Sequence, residues 1–292
     1  MKNREKILSK HPYLWLILPG SLFLLLCFIL PISSMIRMSF NIRPSTGDVI
    51  QTISALNYQK VLTDIYYWRV FLNTILIGFV VTFLTILLGF PLAYKYVHAR
   101  DRVKEILLVI ILGPLLITMV VRIYGWMVIL GSNGLINSLL TQLGIIKDPI
   151  TLMYNSIGVI IGLTHVLLPF MTVSIATALQ NIDKSINEAA ETLGASKWHI
   201  FFKITIPLCK HGIIAGSILV FSLAVSVFVT PMMLGGSGLR SIVVLIYTHG
   251  LVLINWPMAA ALGALLLLIL LIIMFIQYKI QGRTESKDYA SV

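Results

Sequence analysis

The side chains able to do work in this chain fall in two places. One is a polar stretch, residues 187–207 (NEAAETLGASKWHIFFKITIP), and the other is a scatter of polar groups inside apolar runs. In the stretch, Ala189, Ala190 and Leu193 lie at i, i+1 and i+4, so on a helix they share one small apolar side, with Glu188 and Glu191 beside it. Asp183 or Ser185 can cap that helix, and Ser185 with Glu188 has the capping-box spacing. Gly194 suits the left-handed position just past a helix end. Pro207, closing Ile204-Thr205-Ile206-Pro207, stands where a new membrane helix can begin after a break. The spacing predicts a short helix, a glycine turn and a second helix. Bond chemistry is not indicated. The six histidines are scattered, there is no HExxH, GxSxG or Walker A sequence, and neither a catalytic nor a metal site is expected.

Inside the apolar runs each polar group is costly unless it is paired or faces a cavity. Arg122, in MVVRIYGWMVIL, has no carboxylate of this chain at its own depth. It lines a water-filled path, pairs with a partner subunit, or snorkels outward. Tyr124 and Trp126 are interface aromatics or cavity walls. His165 precedes Pro169 by four residues, so its imidazole either satisfies the carbonyl that the proline frees or meets a solute. Asn73 and Thr74 open the second apolar run. Ser222, Ser226 and Thr230 recur every four residues and are expected on one face, either for close packing or for lining a path. Pro91, Pro114, Pro169 and Pro231 are expected to break or bend the spans that hold them.

The elements that position these groups must lie in lipid. Hydrophobic residues make up 58% of the chain and charged ones 11%, against about 25% charged in soluble domains. Six runs reach the length of about 20 apolar residues that a span needs: 14–35, 70–94, 106–130, 156–179, 212–234 and 256–278. The basic start resembles a signal peptide, but its apolar run is too long and no A-x-A site follows, so it reads as a retained first span. Fifteen Lys and Arg, among them Lys2, Arg4, Lys6 and Lys10, fall on the side of the termini and of residues 187–207, against six on the other. That bias places both termini and the polar loop in the cytoplasm. It also accounts for a net charge of +11 without nucleic acid as a partner. Cys27 and Cys209 read as small hydrophobes. Asn57 to Leu62 with Tyr66, Tyr67 and Trp68 predict one interfacial helix. Glycine-rich turns follow at 131–134 and 235–238, and the polar tail 282–292 is expected to be disordered. No boundary or repeat divides residues 1–292, so a single domain is expected.

The polar loop resembles the EAA loop of the membrane subunits of bacterial ABC importers. That pattern is EAA, three residues, Gly, nine residues, then I-x-L-P, and here only Ile206 departs, standing where Leu is usual. R-I-Y-G-W in the third run and P-F-M in the fourth are similar to the spermidine/putrescine-type permeases. The resemblance implies an all-α, six-helix, type I ABC importer permease in the bacterial cytoplasmic (inner) membrane. Its coupling loop would be residues 183–207, with Glu188, Ala189, Ala190, Leu193, Gly194, Ile204 and Pro207 meeting the ATPase. The implied partners are a cytoplasmic ABC ATPase dimer holding ATP and Mg, a second related permease and an extracytoplasmic solute-binding protein. The implied solute is a polyamine or another small solute, and no cofactor is expected in this chain. A polyamine sits awkwardly with Arg122 and the lack of intramembrane acids. An ion-coupled secondary transporter would be expected to bury acids and often to show repeats, and a membrane enzyme would need a reactive cluster.

Overall fold

A computed structural model describes residues 13–44, 49–236 and 239–289. The cations Lys2, Arg4, Lys6 and Lys10, the turn residues Ser237 and Gly238, and tail residues 290–292 lie outside the described residues. Among the described residues the regular structure is helical apart from one antiparallel bridge, Ile42 to Ile50. In order the helices are α1 (Tyr13–Ser39), α2 (Leu56–Thr63), α3 (Ile65–His98), α4 (Asp101–Leu116), α5 (Met119–Leu130), α6 (Leu135–Gln142) and α7 (Ser156–Gln180). They continue as α8 (Lys184–Thr192), α9 (Lys197–Leu208), α10 (Lys210–Ser226), α11 (Val229–Leu234), α12 (Ile242–Val252) and α13 (Trp256–Tyr289). Among the described residues five helical runs are long and apolar enough to cross a membrane, or six if the bent pair α9–α10 is one span.

α1, α3, α7 and α13 match the first, second, fourth and sixth expected spans with longer ends. The other two differ. The run 106–130 is divided between α4 and α5, which meet at an extended Ile117 and Thr118. The run 212–234 stops at Ser226 and restarts at Val229, because Pro231 has no N–H for the carbonyl of Val227, and Val227 turns extended. Pro91 and Pro169, by contrast, stay inside unbroken helices. The expected interfacial helix is only α2, since Tyr66, Tyr67 and Trp68 open α3 instead. The tail is helical through Tyr289 rather than disordered.

The contacts define two compact units. One takes the residues up to Asp64 together with Ile246–Leu266, and the other takes Ile65–Leu245 and the residues from Leu267 on. In the first, Asn57 Nδ2 donates to the carbonyls of Ser39 and Asn41 at 2.8 and 2.9 Å, tying the end of α1 to α2. The Ser39 and Tyr58 hydroxyls meet at 2.6 Å, and Arg37 donates to Asn41 Oδ1 at 2.8 Å. In the second, α3, α7 and α10 pack on one another around Val81, Leu163, Met171, Ile175, Val220 and Ala224. Small residues set that approach, as is usual between helices in lipid. A Cβ on Gly212 would lie 2.4 Å from Ala178 Cβ, and Ser174 Oγ donates to the Gly212 carbonyl at 2.9 Å.

Gly212→Ala should therefore cost about 1–3 kcal/mol by overpacking and lower the melting temperature in detergent. Gly113→Ala, in α4 with nothing within 4 Å of the added carbon, should leave it unchanged or raise it. Equal melting temperatures for the two variants would contradict this packing.

Candidate functional site

The polar loop is built by two local signals. Asp183 rather than Ser185 caps α8, its Oδ1 accepting from Ser185 N at 2.9 Å. The hydrogen bonds from the backbone and side chain of Ser185 hold the Asp183 carboxyl below its ordinary range. This contribution to helix order is thus full at neutral pH and is lost as pH falls through the lowered value. At the other end Ala195 N donates to Ala190 O at 3.0 Å and Gly194 N to Glu191 O at 2.9 Å, with Gly194 at φ +84°. These are the two bonds of a Schellman ending, in which the left-handed residue stands four places after the residue whose carbonyl takes the longer bond. The spacing from Ala190 to Gly194 is that requirement written in sequence.

Ser196 Oγ, accepting from His199 N at 3.3 Å, then starts α9. Pro207 does not open a new helix, as the sequence suggested, but lies in the last turn of one already running. It has no N–H for Lys203, and the chain widens to a π turn over Phe201–Thr205, with Ile206 N reaching Phe201 O. α10 then leaves at 61°. Glu188, Ala189, Leu193 and Gly194 are exposed, Ala190 and Ile204 are half-buried, and Pro207 is exposed. Leu193 at 88% and Trp198 at 74% exposure, with Trp198 stacked on Phe202, make a bare apolar surface beside the two glutamates.

One residue that the sequence reading missed joins this surface to the spans. Phe201 packs edge-on against Phe90 at 5.3 Å and Tyr94 at 5.4 Å, both on α3. The doubled phenylalanine in an otherwise polar loop was the available signal. Beside it Tyr94, His98, Asn187, Glu188, Glu191 and Lys197 line an open cleft of about 310 Å³.

The polar groups of the spans scatter more than expected. Arg122 Nη2 donates to the carbonyl of Ile117 at 2.7 Å, closing the break between α4 and α5, while its Nε is buried without a partner. Trp126 Nε1 donates to His165 Nδ1 at 3.2 Å, so the imidazole ties α7 to α5 instead of serving its own freed carbonyl. Tyr124 is exposed elsewhere on α5. Thr74 donates to Val70 O and accepts from Ile242 N at 3.0 Å, whereas its neighbour Asn73 is exposed. Ser222 bonds back to Ile218 O. The break at 227–228 separates Ser222 and Ser226 of α10 from Thr230 of α11, which is fully buried with its hydroxyl unpaired. The three therefore do not share one helical face.

Residues 72–286 match the family described as binding-protein-dependent transport system inner membrane component. The chain belongs to this family. The permease is 32% identical over 257 residues to the spermidine/putrescine transport system permease protein PotB of Escherichia coli (strain K12), covering 88% of this chain and 93% of that one. It is 30% identical over the same length to PotB of Haemophilus influenzae, covering 88% and 90%. Its fold matches a chain in the crystal structure of a bacterial ABC transporter that imports the acidic polysaccharide alginate, with a TM-score of 0.76 at 19% identity over 96% of this chain and 99% of that chain. The permease is thus an inner-membrane subunit of an ABC importer with the type I fold.

Arg122→Leu leaves the Ile117 carbonyl unpaired and should cost about 1–3 kcal/mol, read as a lower melting temperature of the permease, with Arg122→Lys restoring part of it. A leucine variant as stable as the parent but unable to transport would assign Arg122 to the solute instead.

Proposed function

We propose that this permease forms half of a translocation pathway for a polyamine or a similar small solute, with both termini and α8–α9 in the cytoplasm. A second, related permease supplies the other half, and an extracytoplasmic binding protein delivers the solute. A separate ATPase dimer, holding ATP and Mg, seats on α8; this chain itself hydrolyses no ATP. The observation that carries the reading is a bare helical surface, Glu188 to Leu193 with Trp198, whose ends are fixed by Asp183 and Gly194 and whose base is keyed to α3 by Phe201. The Lys and Arg bias supports the orientation, and the relatives named as spermidine/putrescine permeases support the solute. A different small solute is the alternative, and Arg122 favours it, as a cation in the spans. The bond to Ile117 weakens that objection, because it gives the guanidinium a structural task.

In vesicles holding the assembled importer, spermidine uptake should require ATP and the loaded binding protein. Gly194→Val forces a β-branched residue to positive φ, and Glu188→Lys reverses charge beside the apolar face. Both variants should insert and accumulate but lose ATPase attachment or stimulation, and uptake should fall at least about tenfold. Gly194→Asn, which tolerates the left-handed conformation, should retain most activity. Parental transport by the double variant Glu188→Lys, Gly194→Val would refute coupling through α8.

A further inference from the structure

The end of α5 remote from Ile117 carries a pocket that the coupling account does not use. Tyr124, Leu130, Gly131, Ser132, Thr151 and Tyr154 are among its walls, and it holds about 390 Å³. Two buried or capping asparagines build it. Asn137, 1% exposed, donates through Nδ2 to the carbonyls of Gly131 and Ile150, both at 3.0 Å, and accepts from Ile150 N at 3.0 Å. The end of α5 is thereby clamped to the segment before α7. Asn155 fixes the same segment to α7, donating to Thr151 O and accepting from Ile157 N and Gly158 N. Tyr154 between them sits at φ 60°, and a Cβ on Gly236 would lie 2.7 Å from its own Cβ. A bulky residue persists in that conformation only where its surroundings over-determine it, and such strain gathers at ligand sites.

The chemistry of the walls points one way. Tyr124 and Tyr154 are 55% and 59% exposed, and an aromatic face attracts a cation. The Ser132 and Thr151 hydroxyls can accept hydrogen bonds, and the carbonyl end of α5 is the negative end of its dipole. Among the described residues the lining holds no Lys or Arg. Arg122 precedes Leu130 by eight residues, about 12 Å of helical rise, and its guanidinium turns back to the Ile117 carbonyl at the start of the helix. We propose that the Tyr124–Tyr154 pocket binds a primary alkylammonium group, one end of a polyamine passing through the importer. The proposal rests on the polyamine reading above. It gives this chain a way to hold a polycation without an acid in its spans.

The test uses the complete importer in vesicles of phosphatidylcholine and phosphatidylglycerol, with radiolabelled spermidine and its loaded binding protein. The reading is spermidine carried per ATP hydrolysed. Tyr124→Ala with Tyr154→Asn, the latter tolerating positive φ, should lower that ratio roughly tenfold while stimulated ATP hydrolysis persists. Tyr124→Phe with Tyr154→Phe, which keeps both rings, should stay near the parent. An unchanged ratio in the Ala/Asn pair, or an equal loss in the Phe pair, overturns the proposal. Phosphatidylethanolamine carries the same ammonium chemistry, so vesicles containing it form a second arm. A defect seen only there would assign the pocket to lipid and also overturn the proposal. A parent complex that imports no spermidine would defeat the polyamine reading itself, and this one with it.

Discussion

In hydrocarbon no water stands ready for a backbone group that a helix releases, so every break in a span must bring its own partner. At several of its breaks this chain meets that condition with particular side chains and turns. Between α4 and α5 the Ile117 carbonyl takes the Arg122 guanidinium. Past α5 the Gly131 carbonyl takes Asn137, and the start of α7 takes Asn155. At the bend before α10 the backbone shifts its own register, Ile206 N reaching back five residues to Phe201 O. Breaks supplied in this way are fixed points about which whole helices can swing, which suits a path that opens to one side and then to the other.

The same economy explains how a surface helix can act on the spans. α8 is too short to hold its shape by helix propensity alone. Its geometry comes from the Asp183 cap and from the Gly194 ending, both local. α9 then carries any displacement to Phe201, whose ring lies against Phe90 and Tyr94. α3 in turn packs with α7 and α10, the latter pair in close contact where Gly212 meets Ala178. Interiors packed this closely transmit movement rather than absorb it. The route is one of continuous physical contact.

Much of this could be read in the residues, and what could not has physical reasons. Long apolar runs announced α1, α3, α7 and α13, because lipid asks only for length and apolarity. The glycine turn was legible because positive φ selects glycine so strongly. The break at 117–118 was hidden inside an apolar run, since hydropathy does not register where a helix stops, whereas Pro231 marked the one at 227–228. The helix stops at Val227, the residue whose carbonyl Pro231 has no N–H to serve. The spacing of His165 to Pro169 points to the freed carbonyl or to a solute, whereas its partner, Trp126, lies 39 residues away in sequence. Nothing in the sequence marks Asn137. Its three hydrogen bonds depend on chain segments that meet only in the fold.

On the proposed coupling, the force of ATP hydrolysis enters the permease at α8. A photocrosslinking amino acid at Leu193, in the intact importer within its membrane, tests that contact directly, with a second probe at Gly144, in the turn after α6, as the reference. The expected result is an adduct between Leu193 and the ATPase whose yield changes when ATP binds, and none from Gly144. A complex that retains its ATPase yet gives no adduct at Leu193, or gives one equally at Gly144, would contradict it.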